Sequence, residues 1–308
     1  MKKTKKTSAP AVNWKGVLPA ITTTFRRDGT LDTKAIAKHC QWMVKSGCVG
    51  IVPCGSLGES ATLSFEEKVE LMATCVAAVP GTPIVPGIAS LSTEEAVALA
   101  WAAERVGCAG LMVLPPYVYS TDWHEMQAHV SAVIGATKLP CMLYNNPPAY
   151  KTDFLPAQVK ELAQKHPNLQ AVKESSGDAR RVTALRQLLG NRLTLLVGMD
   201  DCIVEGVAAG AEGWIAGLVN AYPVESVALY EAAIWGDHGR ADEIYRWFLP
   251  LLRLDTVPKF VQYIKWVQGK VCGTNALVRG PRLALTSAEV ALAQKVLTQA
   301  RKDHAKVF

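Results

Sequence analysis

The chain has 308 residues, 49% hydrophobic and 19% charged, with a formal net charge of +6. That apolar content, with Gly and Pro spread without a period, excludes disordered and fibrous classes and predicts a substantial core. Lys2, Lys3, Lys5 and Lys6 supply much of the excess charge; setting them aside leaves +2, too little for a basic face that would bind nucleic acid.

Residues 1–13 read as a mobile basic tail. Thr7 to Lys15 offer no apolar stretch of the kind a secretory signal needs, so the expectation is a cytoplasmic protein. The longest apolar run, Ala96 to Ala103, falls short of the roughly 20 residues that cross a membrane. The eight cysteines lie in apolar surroundings without a CxxC pair, and no Cys/His spacing suits a metal; reduced, buried thiols are expected.

Eight short apolar runs alternate with helical patterns: Val17 to Thr22, Val49 to Cys54, Ile84 to Ile88, Leu111 to Leu114, Cys141 to Asn145, Leu169 to Lys173, Leu193 to Val197 and Trp214 to Gly217. Ser64 with Glu67 and Ser92 with Glu95 fit the capping box that opens a helix. SGCVGIVP at 46, VGCAGLMV at 106 and AGAEGWIA at 209 each pair a Gly that can end a helix in the left-handed conformation with a second that allows close packing at the next strand. The first two lie 60 residues apart, twice the length of one βα unit. Eight such units predict a (β/α)8 TIM barrel over 14–225, with a doubly wound open sheet as the alternative. From 226 to 308 the pattern is helical, through IYRWFLPLLRL, KFVQYIKWV and a segment opening at Ser287, and predicts a C-terminal helical extension.

A barrel of this kind works at the C-terminal ends of its strands. Lys173 ends one of them in LQAVKESSGD. A lysine projecting there loses hydration and can attack a carbonyl as the neutral amine; the alternative is a structural lysine paired with Glu174 or Asp178. Tyr144 in CMLYNNPPAY ends the strand 29 residues earlier and is either a proton relay or a core tyrosine. In VPCGSLGESATLS, a Gly-x-x-Gly turn offers backbone amides and the Ser56 hydroxyl to a carboxylate, or is a plain tight turn. Tyr117, or Tyr119, follows another strand in VLPPYVYS.

GSLGES, YNNP and the lysine of VKESSGD, in this order and spacing, resemble the signature of the dihydrodipicolinate synthase and N-acetylneuraminate lyase superfamily over residues 14 to 290. The resemblance implies a barrel with a helical extension, Lys173 as Schiff-base nucleophile with no separate cofactor and no metal, and Tyr144 as acid/base. It also implies Ser56 as relay hydroxyl, the amides of Ser56 and Leu57 on the substrate carboxylate, and the Ile215 carbonyl lining the site. Tyr117 matches a tyrosine that crosses from a neighbouring subunit, so a homodimer or homotetramer is implied, with a small-molecule carboxylate as substrate and neither nucleic acid nor membrane as partner.

Two positions depart from the synthase pattern. Ala149 stands where synthases place an arginine for the second substrate's carboxylate, and Leu57 replaces the usual second threonine. The strings YNNPPAYKTDF, KESSGDARRVT, GMDD and VRGPRL look most like the 1-pyrroline-4-hydroxy-2-carboxylate deaminases of hydroxyproline degradation, which release ammonia and 2,5-dioxopentanoate. Asp200 or Asp201 would then contact the substrate hydroxyl, or else cap the following helix. The alternatives are a pyruvate-dependent lyase (4-hydroxy-tetrahydrodipicolinate synthase, or a 2-keto-3-deoxy-acid or 4-hydroxy-2-oxoglutarate aldolase) and a non-catalytic 2-oxo acid binding protein.

Overall fold

The computed structural model describes residues 9–116 and 122–308. Its strands are β1 (Gly16–Pro19), β2 (Gly87–Ile88), β3 (Leu111–Val113), β4 (Cys141–Asn145), β5 (Leu169–Glu174), β6 (Thr194–Val197) and β7 (Gly213–Ala216). All pair in parallel, in the order β1-β7-β6-β5-β4-β3-β2. The sheet curls because both its edges bond to one segment, 49–53. Val49 and Val52 donate to the carbonyls of Val17 and Pro19 at 3.0 and 2.9 Å, while Ile51 donates to Pro83 at 2.9 Å and Gly87 donates to Pro53 at 2.8 Å.

That segment corrects the sequence reading. Val49 to Cys54 is not a regular strand but carries two isolated parallel bridges, Ala20 with Val52 and Ile51 with Ile84. The cause is Pro53, which has no N–H to return a bond to Val85, so the ladder breaks where alternation alone predicts continuity. The third run is likewise shortened, to Gly87–Ile88 with a single bridge at Ile84.

Among the described residues, twelve helices pack around the sheet or follow it: α1 (Thr33–Lys45), α2 (Phe65–Ala78), α3 (Thr93–Val106), α4 (Trp123–Gly135), α5 (Pro147–Tyr150), α6 (Pro156–Lys165), α7 (Arg180–Leu189), α8 (Ile203–Ala208), α9 (Pro223–Ile234), α10 (His238–Leu252), α11 (Phe260–Cys272) and α12 (Ser287–Val307). The expected boundary near residue 225 falls inside α9. Ser64 and Glu67 form the complete capping box of α2. Ser92 accepts from the Glu95 amide, but the Glu95 carboxylate is taken by the Ser90 hydroxyl, so only half of that box forms. The glycine repeat behaves as read: Gly47, Gly107 and Gly210 have φ of 100°, 95° and 106°, and a β-carbon on Gly213 would fall 2.4 Å from the Trp14 carbonyl.

The core is continuous from the barrel into the last helices. Trp247 of α10 packs against His304 and Phe308 beyond it, and its Nε1 donates to the Ala300 carbonyl of α12 at 2.9 Å. Val261, Ile264 and Val267 of α11 are buried, and so is Lys265 on the same helix.

Candidate active site

Strand alternation decides which side chains face the cavity. β4 and β5 pair with Tyr144 opposite Lys173 and Asn145 opposite Glu174. Successive side chains point to opposite faces, so one pair turns inward and the other outward. The outward pair is self-contained: Asn145 Nδ2 donates to Glu174 and to Asp153, both at 3.1 Å, and the Ser176 amide donates to Glu174 at 2.7 Å. Burial raises the Glu174 carboxyl above its usual range while these donors oppose the shift.

Lys173 and Tyr144 are buried, at 5% and 4% exposure, and line a cavity of about 520 Å³ at the C-terminal ends of the strands. Lys173 Nζ sits 3.9 Å from the centre of the Tyr144 ring. Neither alternative partner reaches it: Glu174 faces away, and Asp178 holds Arg180 through both carboxylate oxygens at 2.8 Å. Among the described residues the Lys173 amine has no ion pair. Gly198 makes its path possible, since a β-carbon there would fall 2.5 Å from Lys173 Cε and 1.9 Å from Ser175 Oγ.

The YNNPPAY string builds its part of the wall from local chemistry. Asn146 Oδ1 caps α5 by accepting from the Ala149 amide at 3.1 Å, with Pro147 at the first helical position. The same side chain donates through Nδ2 to the Tyr144 hydroxyl at 2.8 Å, fixing that ring. Tyr150 then returns over the cavity; its ring meets Tyr144 edge-on at 5.8 Å and its hydroxyl hydrogen-bonds Ser56 Oγ. Tyr150 was not singled out from the sequence, and only the fold brings it within reach of residue 56.

Ser56, Leu57 and Ile215 also line the cavity. Among the described residues, the backbone amides of Ser56 and Leu57 make no hydrogen bond, so both donors remain for a ligand. Tyr117 and Tyr119 lie outside the described residues.

Asp200 neither lines the cavity nor caps the helix that follows it, which corrects both readings. It is buried and accepts from Trp214 Nε1 at 3.0 Å, the Gly217 amide at 3.0 Å and the Leu218 amide at 2.7 Å, closing the turn after β7. Burial pushes its carboxyl up to about 6 despite these donors and the nearby Lys173. Asp201 faces Arg253 at 3.9 Å. Among the described residues the cavity's charged groups besides Lys173 are Asp255 and Arg282, both from the C-terminal region and neither identified from the sequence.

Fold and site together define a barrel-like α/β protein whose strand-end cavity carries a buried lysine beside a tyrosine. The chain belongs to the dihydrodipicolinate synthetase family, whose model matches residues 13–300. It is 34% identical over 272 residues to a 4-hydroxy-tetrahydrodipicolinate synthase of Agrobacterium fabrum, covering 88% of this chain and 92% of that one. A synthase of the same name from Methanoculleus marisnigri is 33% identical over 291 residues, covering 92% and 98%. The solved synthase of Methylacidiphilum fumariolicum SolV superposes with a TM-score of 0.92 at 29% identity, covering 96% and 98%. YagE, a prophage protein of this family from E. coli K12 in complex with pyruvate, superposes with a TM-score of 0.88 at 26% identity, covering 94% and 99%. These relatives carry no deaminase name, so the likeness to the hydroxyproline-degrading branch gains no support from them. Among the described residues no helix is long and apolar enough to cross a membrane.

Proposed function

We propose that this chain is a Schiff-base lyase that takes pyruvate or a related 2-oxo acid onto Lys173. What supports this most is the Lys173 amine: buried, without an ion pair among the described residues, and 3.9 Å from the Tyr144 ring inside the cavity. An amine so placed attacks the C2 carbonyl, water leaves, and the resulting iminium withdraws electrons from C3, whose proton is then lost. The enamine makes or breaks a bond from C3 to a carbonyl carbon. Tyr144 and Ser56 move the protons, and the amides of Ser56 and Leu57 hold the C1 carboxylate. The lysine adduct itself is the electron sink, so no cofactor enters. Tyr117 of a neighbouring subunit in a homodimer or homotetramer, and a cytoplasmic setting, belong to the same proposal.

The second substrate meets a changed wall. Ala149 cannot hold a carboxylate. Arg282 also lines the cavity, with its nearest described carboxylate, Glu59, 3.8 Å away. Glu59 is already occupied by Lys265 and the Arg279 amide, which leaves the Arg282 fork for a second carboxylate. Arg282 thus favours an aldehyde partner that brings a carboxylate, and Ala149 in place of the synthase arginine favours an aldolase acting on a compound such as 4-hydroxy-2-oxoglutarate over condensation with aspartate semialdehyde.

The deaminase reading is kept as second because Ala149 and the Asp255 carboxyl suit a compact hydroxylated ring with one carboxylate. A substrate panel separates them. Pyruvate release from 4-hydroxy-2-oxoglutarate or a 2-keto-3-deoxy acid supports the lyase; ammonia release from 1-pyrroline-4-hydroxy-2-carboxylate with no pyruvate-forming turnover replaces it with the deaminase.

A further inference from the structure

Asp255 belongs to none of the motifs that define the site. It ends the 3-10 turn Arg253–Asp255 between α10 and α11, and its carboxyl lines the same cavity as Lys173. Gly217, just beyond β7, makes room for it. A β-carbon on Gly217 would fall 2.2 Å from Asp255 Oδ1 and 2.7 Å from its Cγ, so the acid lies directly against the backbone at the strand ends. The charged groups that act on it are Asp200, Lys173 and Asp201.

These acids are not equivalent. Asp200 is filled by Trp214 Nε1 and two backbone amides, and Asp201 faces Arg253 outside the cavity. The Asp255 carboxyl has no hydrogen bond or ion pair among the described residues, and Asp255 is the carboxylic acid among the described residues that line the cavity with Lys173. We propose that Asp255 is the proton donor to the oxygen on carbon 4 of the Lys173 adduct, which makes the substrate class 2-oxo acids, or their cyclic imines, carrying oxygen two carbons beyond the imine carbon. Burial, with the charge of Asp200 adding to it and that of Lys173 opposing, holds the Asp255 carboxyl well above the ordinary carboxylate range, so it carries the proton to be given.

The step balances without a further reactant. In condensation, enamine C3 attacks the aldehyde carbon and the C3–C4 bond forms. The carbonyl π pair becomes an oxygen lone pair, and Asp255 protonates it. The result is a 4-hydroxyl, an iminium on Lys173 and an Asp255 carboxylate; cleavage runs the same transfers backwards. In elimination the same proton leaves with the 4-hydroxyl as water, as the C4–O bond breaks and the C3–C4 double bond forms.

The inference rests on the Schiff base at Lys173, and two readouts keep the two apart. Exchange of the pyruvate methyl protons in deuterated water, followed by NMR, needs the enamine but nothing at carbon 4. Turnover of 4-hydroxy-2-oxoglutarate, a 2-keto-3-deoxy acid and 1-pyrroline-4-hydroxy-2-carboxylate needs both. Asp255→Asn is expected to keep exchange within about threefold while turnover of the substrate used falls by about 10²-fold or more, with Asp255→Glu recovering part. The limb of the kcat profile that Asp255 sets should vanish in Asp255→Asn: the low-pH limb in cleavage, where its carboxylate takes the 4-hydroxyl proton, and the high-pH limb in elimination, where its acid gives one. Turnover within about threefold of the unaltered enzyme, parallel loss of exchange and turnover, or exchange without turnover of any of the three compounds overturns the role of Asp255. Absence of exchange in the unaltered enzyme overturns the Lys173 reading, and the role of Asp255 with it.

Discussion

Glu59 and Lys265 form a fully buried ion pair, Oε1 to Nζ 2.6 Å, across 206 residues of sequence. Glu59 is the last residue of the GSLGE turn and sits at φ 57°, in the left-handed region that a side chain rarely adopts. Lys265 lies on α11, with Nζ 4.6 Å from the centre of the Phe25 ring. The Arg279 amide closes the other carboxylate oxygen at 3.0 Å. The pair therefore fastens the turn that bears Ser56 and Leu57 to the C-terminal helices.

Breaking it from one side leaves a buried charge. Glu59→Gln or Lys265→Met should each destabilise the fold by about 3–5 kcal/mol, while the double variant should cost less than the two added together. Urea denaturation of the four proteins checks this. Glu59→Gln also removes the only described carboxylate near Arg282, so KM for a dicarboxylic substrate should change more than kcat.

Gly198 controls the lysine through space alone. Adding one methyl in Gly198→Ala forces Lys173 and Ser175 aside, since the new carbon would meet them at 2.5 and 1.9 Å. A displacement of about 1 Å at a nucleophile costs on the order of 10²-fold in rate, against an overpacking cost of about 1–3 kcal/mol in stability. The expected result is a protein that melts cooperatively and turns over about 10²-fold more slowly. Unchanged kcat would show that the Gly198 contact does not position the amine.

Tyr144 is held by Asn146 and faces the amine, so Tyr144→Phe keeps the ring and removes the hydroxyl. Turnover should fall by about 10²- to 10⁴-fold with little loss of stability. Asn146→Ala should show a smaller fall in turnover together with a destabilised α5, because one side chain serves both as cap and as hydroxyl clamp.

Asp200 gives a pH signature. Its folded-state carboxyl stands at about 6, above the ordinary value of 3.8, because it is buried. Between those values the folded chain binds more protons than the unfolded one, so this contribution to stability is full below pH 3.8 and is lost as pH rises through about 6. Asp200→Asn should be less stable at every pH, having exchanged an acceptor of three N–H groups for an amide, but its stability should fall less between pH 4 and 7 than that of the unaltered protein. Equal slopes in chemical denaturation series would remove Asp200 as the cause.

Much of the architecture was legible because it rests on local chemistry. The glycine repeat and the Ser64 cap follow from backbone conformation and orphan amides, and the lysine and tyrosine followed from strand ends one βα unit apart. Pro53 was visible in the sequence, but its consequence was not: only pairing with Val85 turns a missing N–H into a broken strand. Asp200 was misplaced for a related reason, since its partners are amides 17 and 18 residues further on. Asp255 and Arg282 were missed because the apolar pattern of IYRWFLPLLRL, which runs up to Asp255, reads as helix, and VRGPRL served only as part of a family resemblance. Neither carries any local sign that the chain returns there to the mouth of the barrel.

The most direct test of the central claim is borohydride reduction in the presence of pyruvate, followed by peptide mass mapping. The account predicts one pyruvate adduct, on Lys173, abolished in Lys173→Ala and unchanged in Lys265→Arg. An adduct on another lysine, or none while the enzyme turns over a 2-oxo acid, would contradict it.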